Sequence, residues 1–109
     1  MEAGFFLNVN ILFMNVYNFN QRVEKLFKSY FSSYTNIRIK LNNSEICIYL
    51  IDEQNLDSAC LELKKYSNYH HITFWDGYSQ CDVVKVFNEK DSAKALKRFM
   101  KKLKKILDR

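Results

Sequence analysis

The chain has 109 residues, 48% apolar and 16% aromatic, which is enough side-chain volume for a core and too apolar for a disordered chain. Proline is absent and glycine occurs only at Gly4 and Gly77, so no linker divides the sequence, and residues 1–109 read as a single α+β domain. The net charge of +5 is lopsided: Lys90 to Arg109 holds nine Lys/Arg against two Asp, a net of +7, which leaves −2 on the other 89 residues.

Residues 5–16 alternate Leu7, Val9, Ile11 and Phe13 with Asn8 and Asn10, the period of a half-buried strand. Three asparagines interrupt this run and no basic region or small-residue cleavage site accompanies it, so it reads as a strand and not as a signal core. Next, Phe19, Val23, Leu26, Phe27, Tyr30, Phe31 and Tyr34 recur at three- and four-residue steps, which predicts a helix capped by Asn18 with Gln21. "NIRIKLNNSEICIYLI" predicts a hairpin about Asn42-Asn43, with Lys40 facing Glu45 and Ile39 facing Ile46. "DEQNLDSACLELKKY" predicts a second helix, with Asp52 as cap and Leu56, Ala59, Cys60 and Leu63 as its buried stripe.

"HHITFWDGYSQCDVV" predicts a second hairpin on a two-residue Asp76-Gly77 loop. In that register Trp75 faces Tyr78, Thr73 faces Gln80 and His71 faces Asp82. Those six residues then share an outer face, while Ile72, Phe74, Cys81 and Val83 turn toward the core. The first hairpin adds Arg38, Lys40, Glu45, Cys47 and Tyr49 to the same outer face. Asn88 with Asp91 predicts the start of a last helix, whose Leu96, Phe99, Met100, Leu103, Ile106 and Leu107 form an apolar stripe. The expected order is β-α-β-β-α-β-β-α, a single mostly antiparallel sheet with helices on one face. Its αββαββα portion resembles a LAGLIDADG homing-endonuclease unit in element order alone; "NQRVEKLFKSYFSSY" lacks that family's signature helix, and no catalytic residue carries over.

Little in the chain points to catalysis. A His71–Asp82 pair could orient an imidazole, yet no nucleophile or pocket accompanies it. His70, His71 and Cys81 are the only conceivable metal cluster, but adjacent strand residues point to opposite faces, so no metal and no cofactor is expected. There is no glycine-rich phosphate loop. Three cysteines without Cys-x-x-Cys spacing suit a reducing compartment, and a cytoplasmic location is the expectation.

Two binding surfaces remain. Lys94, Lys97, Arg98, Lys101, Lys102 and Lys105 wrap the last helix away from its apolar stripe and suit phosphate contacts, while an anionic membrane is a further use of such a helix. Trp75, Tyr78 and Tyr49, with Arg38 and Lys40 nearby, offer stacking surfaces on an open sheet face. The leading expectation is a small non-catalytic module that engages nucleic acid. The alternative is a protein-binding inhibitor or adaptor of the phage or mobile-element kind, docking through His71, Thr73, Trp75, Tyr78, Gln80 and Asp82 on an acidic or nucleic-acid-handling protein. An enzyme using His71 and Asp82 is the third reading.

Overall fold

Alternation of apolar and polar residues over short runs builds the five strands of the sheet that forms the middle of the described chain. The computed structural model describes residues 19–109; the strand expected over residues 5–16 and the capping Asn18 lie outside them. The described elements are helix α1 (residues 19–31), strands β1 (Ile37–Leu41), β2 (Glu45–Leu50), β3 (Cys60–Lys65), β4 (His70–Trp75) and β5 (Cys81–Val86), and helix α2 (Glu89–Leu107). The strands form one antiparallel meander in the order β1-β2-β3-β4-β5. The class is therefore α+β, but the order among the described residues is helix, five strands, helix. The α-β-β repeat behind the homing-endonuclease resemblance is not there.

The second expected helix is β3 and the loop before it. Leu61 and Leu63 are buried while Cys60, Glu62 and Lys64 turn away, so "CLELKK" follows a period of two. A short run that fits both periods is decided by its surroundings. Here the segment fills the central slot between β2 and β4, which satisfies its backbone on both edges. Asp52, expected as a helix cap, makes a turn instead: its Oδ1 accepts from the Gln54 N–H at 3.0 Å, and its carbonyl accepts from Asn55. Leu56, expected in the buried stripe, is fully exposed at 100%.

The first hairpin forms, two positions out of the expected register. Leu41 pairs with Ile46, Ile39 with Ile48 and Lys40 with Cys47, because the turn centres on Asn43-Ser44. Asn42 explains the shift: its Oδ1 accepts from the backbone N–H of Ser44 at 2.9 Å and of Glu45 at 2.8 Å, and from the Ser44 hydroxyl at 3.0 Å. Among the described residues no non-glycine has a positive φ, so the tight asparagine turn expected from Asn42-Asn43 is not used. A shift of two preserves the faces. Ile37, Ile39 and Leu41 still point inward with Ile46, Ile48 and Leu50.

The second hairpin shifts by three, and an odd shift exchanges the faces of β5. Trp75 pairs with Cys81, Phe74 with Asp82, Ile72 with Val84 and His71 with Lys85. Asp76 gathers a longer loop, its Oδ1 accepting from the N–H groups of Tyr78, Ser79 and Gln80 at 2.8, 2.9 and 3.0 Å. Those hydrogen bonds hold its carboxyl below the usual carboxylate range, the bond from Gln80 contributing most. Gly77 stands at φ 84°, where a Cβ would come 2.8 Å from the Ala59 backbone nitrogen. Glycine is required there by both backbone angle and close approach.

Both helices pack on one face of the sheet and run in the same direction. At one end, Phe19 of α1 sits with its ring 5.3 Å from that of His70, whose Nδ1 is 2.8 Å from the Ser92 hydroxyl of α2. At the other, the Tyr34 hydroxyl beyond α1 donates to the Asp108 carboxylate beyond α2. Between them Val23, Phe31, Leu61, Leu63, Ile72, Leu96, Phe99, Met100 and Leu103 form a continuous core. Phe74 and Phe99 stack at 5.5 Å, a pair that adds about 0.5–1.5 kcal/mol to area burial. Helix α2 begins as expected: Asn88 Oδ1 accepts from the Asp91 N–H at 2.8 Å.

Candidate nucleic-acid interface

The observed register defines the outer sheet face, opposite the helices. Reading from β1 to β5, one row runs Arg38, Tyr49, Cys60, Trp75, Cys81. The next runs Lys40, Cys47, Glu62, Thr73, Val83, and a third, from β2, runs Glu45, Lys64, His71, Lys85. Among the described residues no helix covers this face.

Of the six residues expected to form one partner-binding patch, the structure keeps His71, Thr73 and Trp75 on this face and removes the rest. Tyr78 stands at the loop tip, 89% exposed, and does not pair with Trp75. Gln80 closes the loop through its carbonyl, which accepts from the Asp76 N–H at 3.0 Å. Asp82 turns to the helix side, where it meets the Lys102 ammonium at 2.6 Å. His71 instead lies between Lys64 and Lys85. The His71–Asp82 pairing behind the enzyme reading does not exist, because the odd register shift put the two residues on opposite faces.

Cys81 and Cys60, both expected in the core, belong to the outer face with Cys47. All three are free thiols. Burial, together with nearby Cys47 and Glu62, pushes the Cys60 thiol up to about 11, and burial also raises Cys47. A raised thiol is a poor nucleophile near neutral pH. No group of three or more His, Cys, Asp or Glu among the described residues is arranged to hold a metal ion.

The aromatic candidates differ in how they can be used. The Trp75 indole N–H donates to the Asp57 carbonyl at 2.9 Å, which pins the ring beside the β2–β3 loop. Tyr49 lies half-buried with the Lys40 ammonium 5.5 Å from its ring centre. Sequence reasoning missed a third aromatic group, Tyr66, Tyr69 and Phe87. The false helix swallowed Tyr66 and concealed its position across the β3–β4 turn from Tyr69, where the Tyr66 N–H donates to the Tyr69 carbonyl at 2.9 Å.

On α2, Lys94, Lys97, Arg98, Lys101 and Lys105 are exposed opposite the buried stripe of Ser92, Ala95, Leu96, Phe99, Met100 and Leu103. None of these five makes an ion pair among the described residues. Lys102 is different, since Asp82 holds it; Lys104 is likewise held by Asp108 at 3.2 Å. Helix α1 contributes cations that the sequence reading did not include. Arg22 and Lys25 border a cavity of about 310 Å³ at the N-terminal ends of the two helices, with Phe19, Gln21 and Glu89.

The fold and these surfaces define a five-stranded antiparallel meander backed by two parallel helices, one strongly basic. Compared with known proteins, the chain matches no family model, no curated protein and no solved structure. No described helix is long and apolar enough to cross a membrane.

Proposed function

We propose that the chain is a non-catalytic nucleic-acid-binding module whose phosphate contacts come chiefly from Lys94, Lys97, Arg98, Lys101 and Lys105. The observation that carries this reading is that these five cations lie along one helix face and make no ion pair among the described residues. Like charges three or four residues apart destabilise a helix by about 0.2–0.5 kcal/mol per pair, and Lys94–Arg98, Lys97–Lys101 and Lys101–Lys105 are such pairs. The helix dipole offsets only the cations of the last turn, Lys104 and Lys105, and does not reach Lys94 or Lys97. A row of phosphates would convert that repulsion into attraction. Free cysteines fit a reducing, cytoplasmic setting.

The test is retention of random single- and double-stranded oligonucleotides at low salt, released as salt rises. Absence of retention on both refutes the proposal.

One observation favours the second reading, a protein-binding inhibitor or adaptor. Leu56 and Tyr78 are exposed at 100% and 89% on neighbouring loops. These loops are fixed to one another by the Asn55 side-chain amide donating to the Gly77 carbonyl at 3.1 Å. An exposed tyrosine on a braced loop resembles the anchor residues of protein interfaces, and the exposed Leu56 on the neighbouring loop adds apolar surface for a partner to cover. This reading predicts that Leu56→Asp abolishes partner binding without lowering the melting temperature, while oligonucleotides are not retained by the wild-type chain.

A further inference from the structure

The register that corrects the second hairpin also assembles a surface at the far end of the sheet. Lys65 pairs with His70, so the next pair outward is Tyr66 with Tyr69; His70 pairs with Val86, so Tyr69 lies beside Phe87. Three rings therefore form one row across three strands, on the face away from the helices. Tyr66 and Tyr69 are nearly parallel, with ring centres 4.9 Å apart and planes at 23°, and Phe87 follows at 6.3 Å. Phe87 is 69% exposed and Tyr66 50%.

Burial in the core does not account for these rings, and the charged groups around them are Lys85, Lys64, which lies 3.6 Å from Glu62, and Glu89 at the cavity rim. The Lys85 ammonium sits 4.1 Å from the centre of the Tyr69 ring, and Lys64 lies in the same adjoining row. A cavity of about 150 Å³ opens between Tyr66, Tyr69, Phe87 and Asn88. It is well below the roughly 300–1,000 Å³ typical of pockets for whole small molecules, so flat rings with open faces are its useful feature. Glu89 borders the cavity and would turn a phosphate away from it, toward Lys85 and Lys90. Phe87 is followed at once by Asn88, the cap of α2, so the rings adjoin the start of the basic helix.

Building on the proposed function, we infer that Tyr66, Tyr69 and Phe87 form a stacking platform for unpaired bases, which makes the ligand single-stranded nucleic acid. The exposed faces of Tyr66 and Phe87 take the bases, and Lys64 and Lys85 take the adjacent phosphates. The strand then passes over Phe87 onto Lys90 and Lys94, which joins sheet face and helix face at one edge of the molecule. A duplex cannot use the platform, because its bases are already stacked on one another and present only edges.

The experiment compares a labelled single-stranded oligonucleotide with a duplex of equal length, by anisotropy, using the full chain. Phe87→Ala and Tyr66→Ala should each weaken single-strand binding by about 5- to 100-fold while duplex affinity stays within about twofold. Phe87→Trp should retain single-strand binding and show indole quenching by the strand. Phe87→Ala removes a mostly exposed ring and should keep the wild-type melting temperature, whereas Tyr66→Ala also loses its stack on Tyr69 and should lower it slightly without unfolding the chain. Equal losses on single strand and duplex overturn the platform, as does wild-type single-strand affinity in both alanine variants while neutral substitutions on α2 lower it; the latter leaves the proposed function standing. Loss of a protein partner alone in the alanine variants assigns the platform to protein and overturns it. No binding of either nucleic acid by the wild-type chain overturns the platform together with the proposed function.

Discussion

Replacing Lys101 and Lys105 with glutamine removes two of the five cations proposed to contact phosphates, none of which makes an ion pair among the described residues, without touching the buried stripe of α2. Each phosphate contact on duplex DNA contributes about −0.9 to the slope of log K against log salt, so five contacts give about −4.5. Between about 50 and 200 mM salt, that slope lowers affinity by about 500-fold. The double variant should show a slope of about −2.7 and a loss of only about 40-fold over the same range. Lys102 provides the internal control, since Asp82 holds its ammonium at 2.6 Å. Lys102→Gln should therefore change the slope by well under about 0.9, whereas Asp82→Asn frees Lys102 and should steepen the slope by up to about 0.9. Anisotropy titrations with a labelled duplex at several salt concentrations measure five proteins, the single Lys101→Gln variant included. An unchanged slope in the Lys101/Lys105 variant refutes α2 as the phosphate-binding surface, and equal effects of Lys102→Gln and Lys101→Gln refute the distinction drawn from the ion pair.

Gly77→Ala should destabilise the fold by about 1–3 kcal/mol from backbone strain alone, with the contact to Ala59 adding to it; a urea midpoint equal to wild type contradicts the turn geometry. Burial, with Lys65 nearby, lowers the His70 pKa, so on acidification the unfolded chain protonates this site first and stability falls as pH drops below about 6.5. His70→Gln should flatten that part of the stability profile, and an identical profile in the variant contradicts the assignment. With its thiol near 11, Cys60 exposes a thiolate in only about one molecule in a thousand at pH 8, so mass spectrometry should find exposed Cys81 alkylated well before Cys60.

The parts legible from residues alone are those whose signal is local. Helix α1 and helix α2 follow from apolar residues at three- and four-residue steps, and the α2 start follows from Asn88 and Asp91, whose hydrogen bond needs nothing from the rest of the fold. The basic face is equally local, because a helix fixes the angular position of each lysine. The faces of the first hairpin survived a register error because the error was even. Tertiary structure alone decided the rest. "CLELKK" fits either period, and the empty slot between β2 and β4 made it a strand. Asp76 was free to close a loop of two or of five residues; the close seat of Gly77 against Ala59, immediately before a strand the sequence had read as helix, accompanies the longer loop. That single odd step moved Asp82 from His71 to Lys102 and brought Cys81 out of the core. It also aligned Phe87 with Tyr69. A sheet face is set by the parity of every turn before it, so a property spread over five strands cannot be read from any one of them.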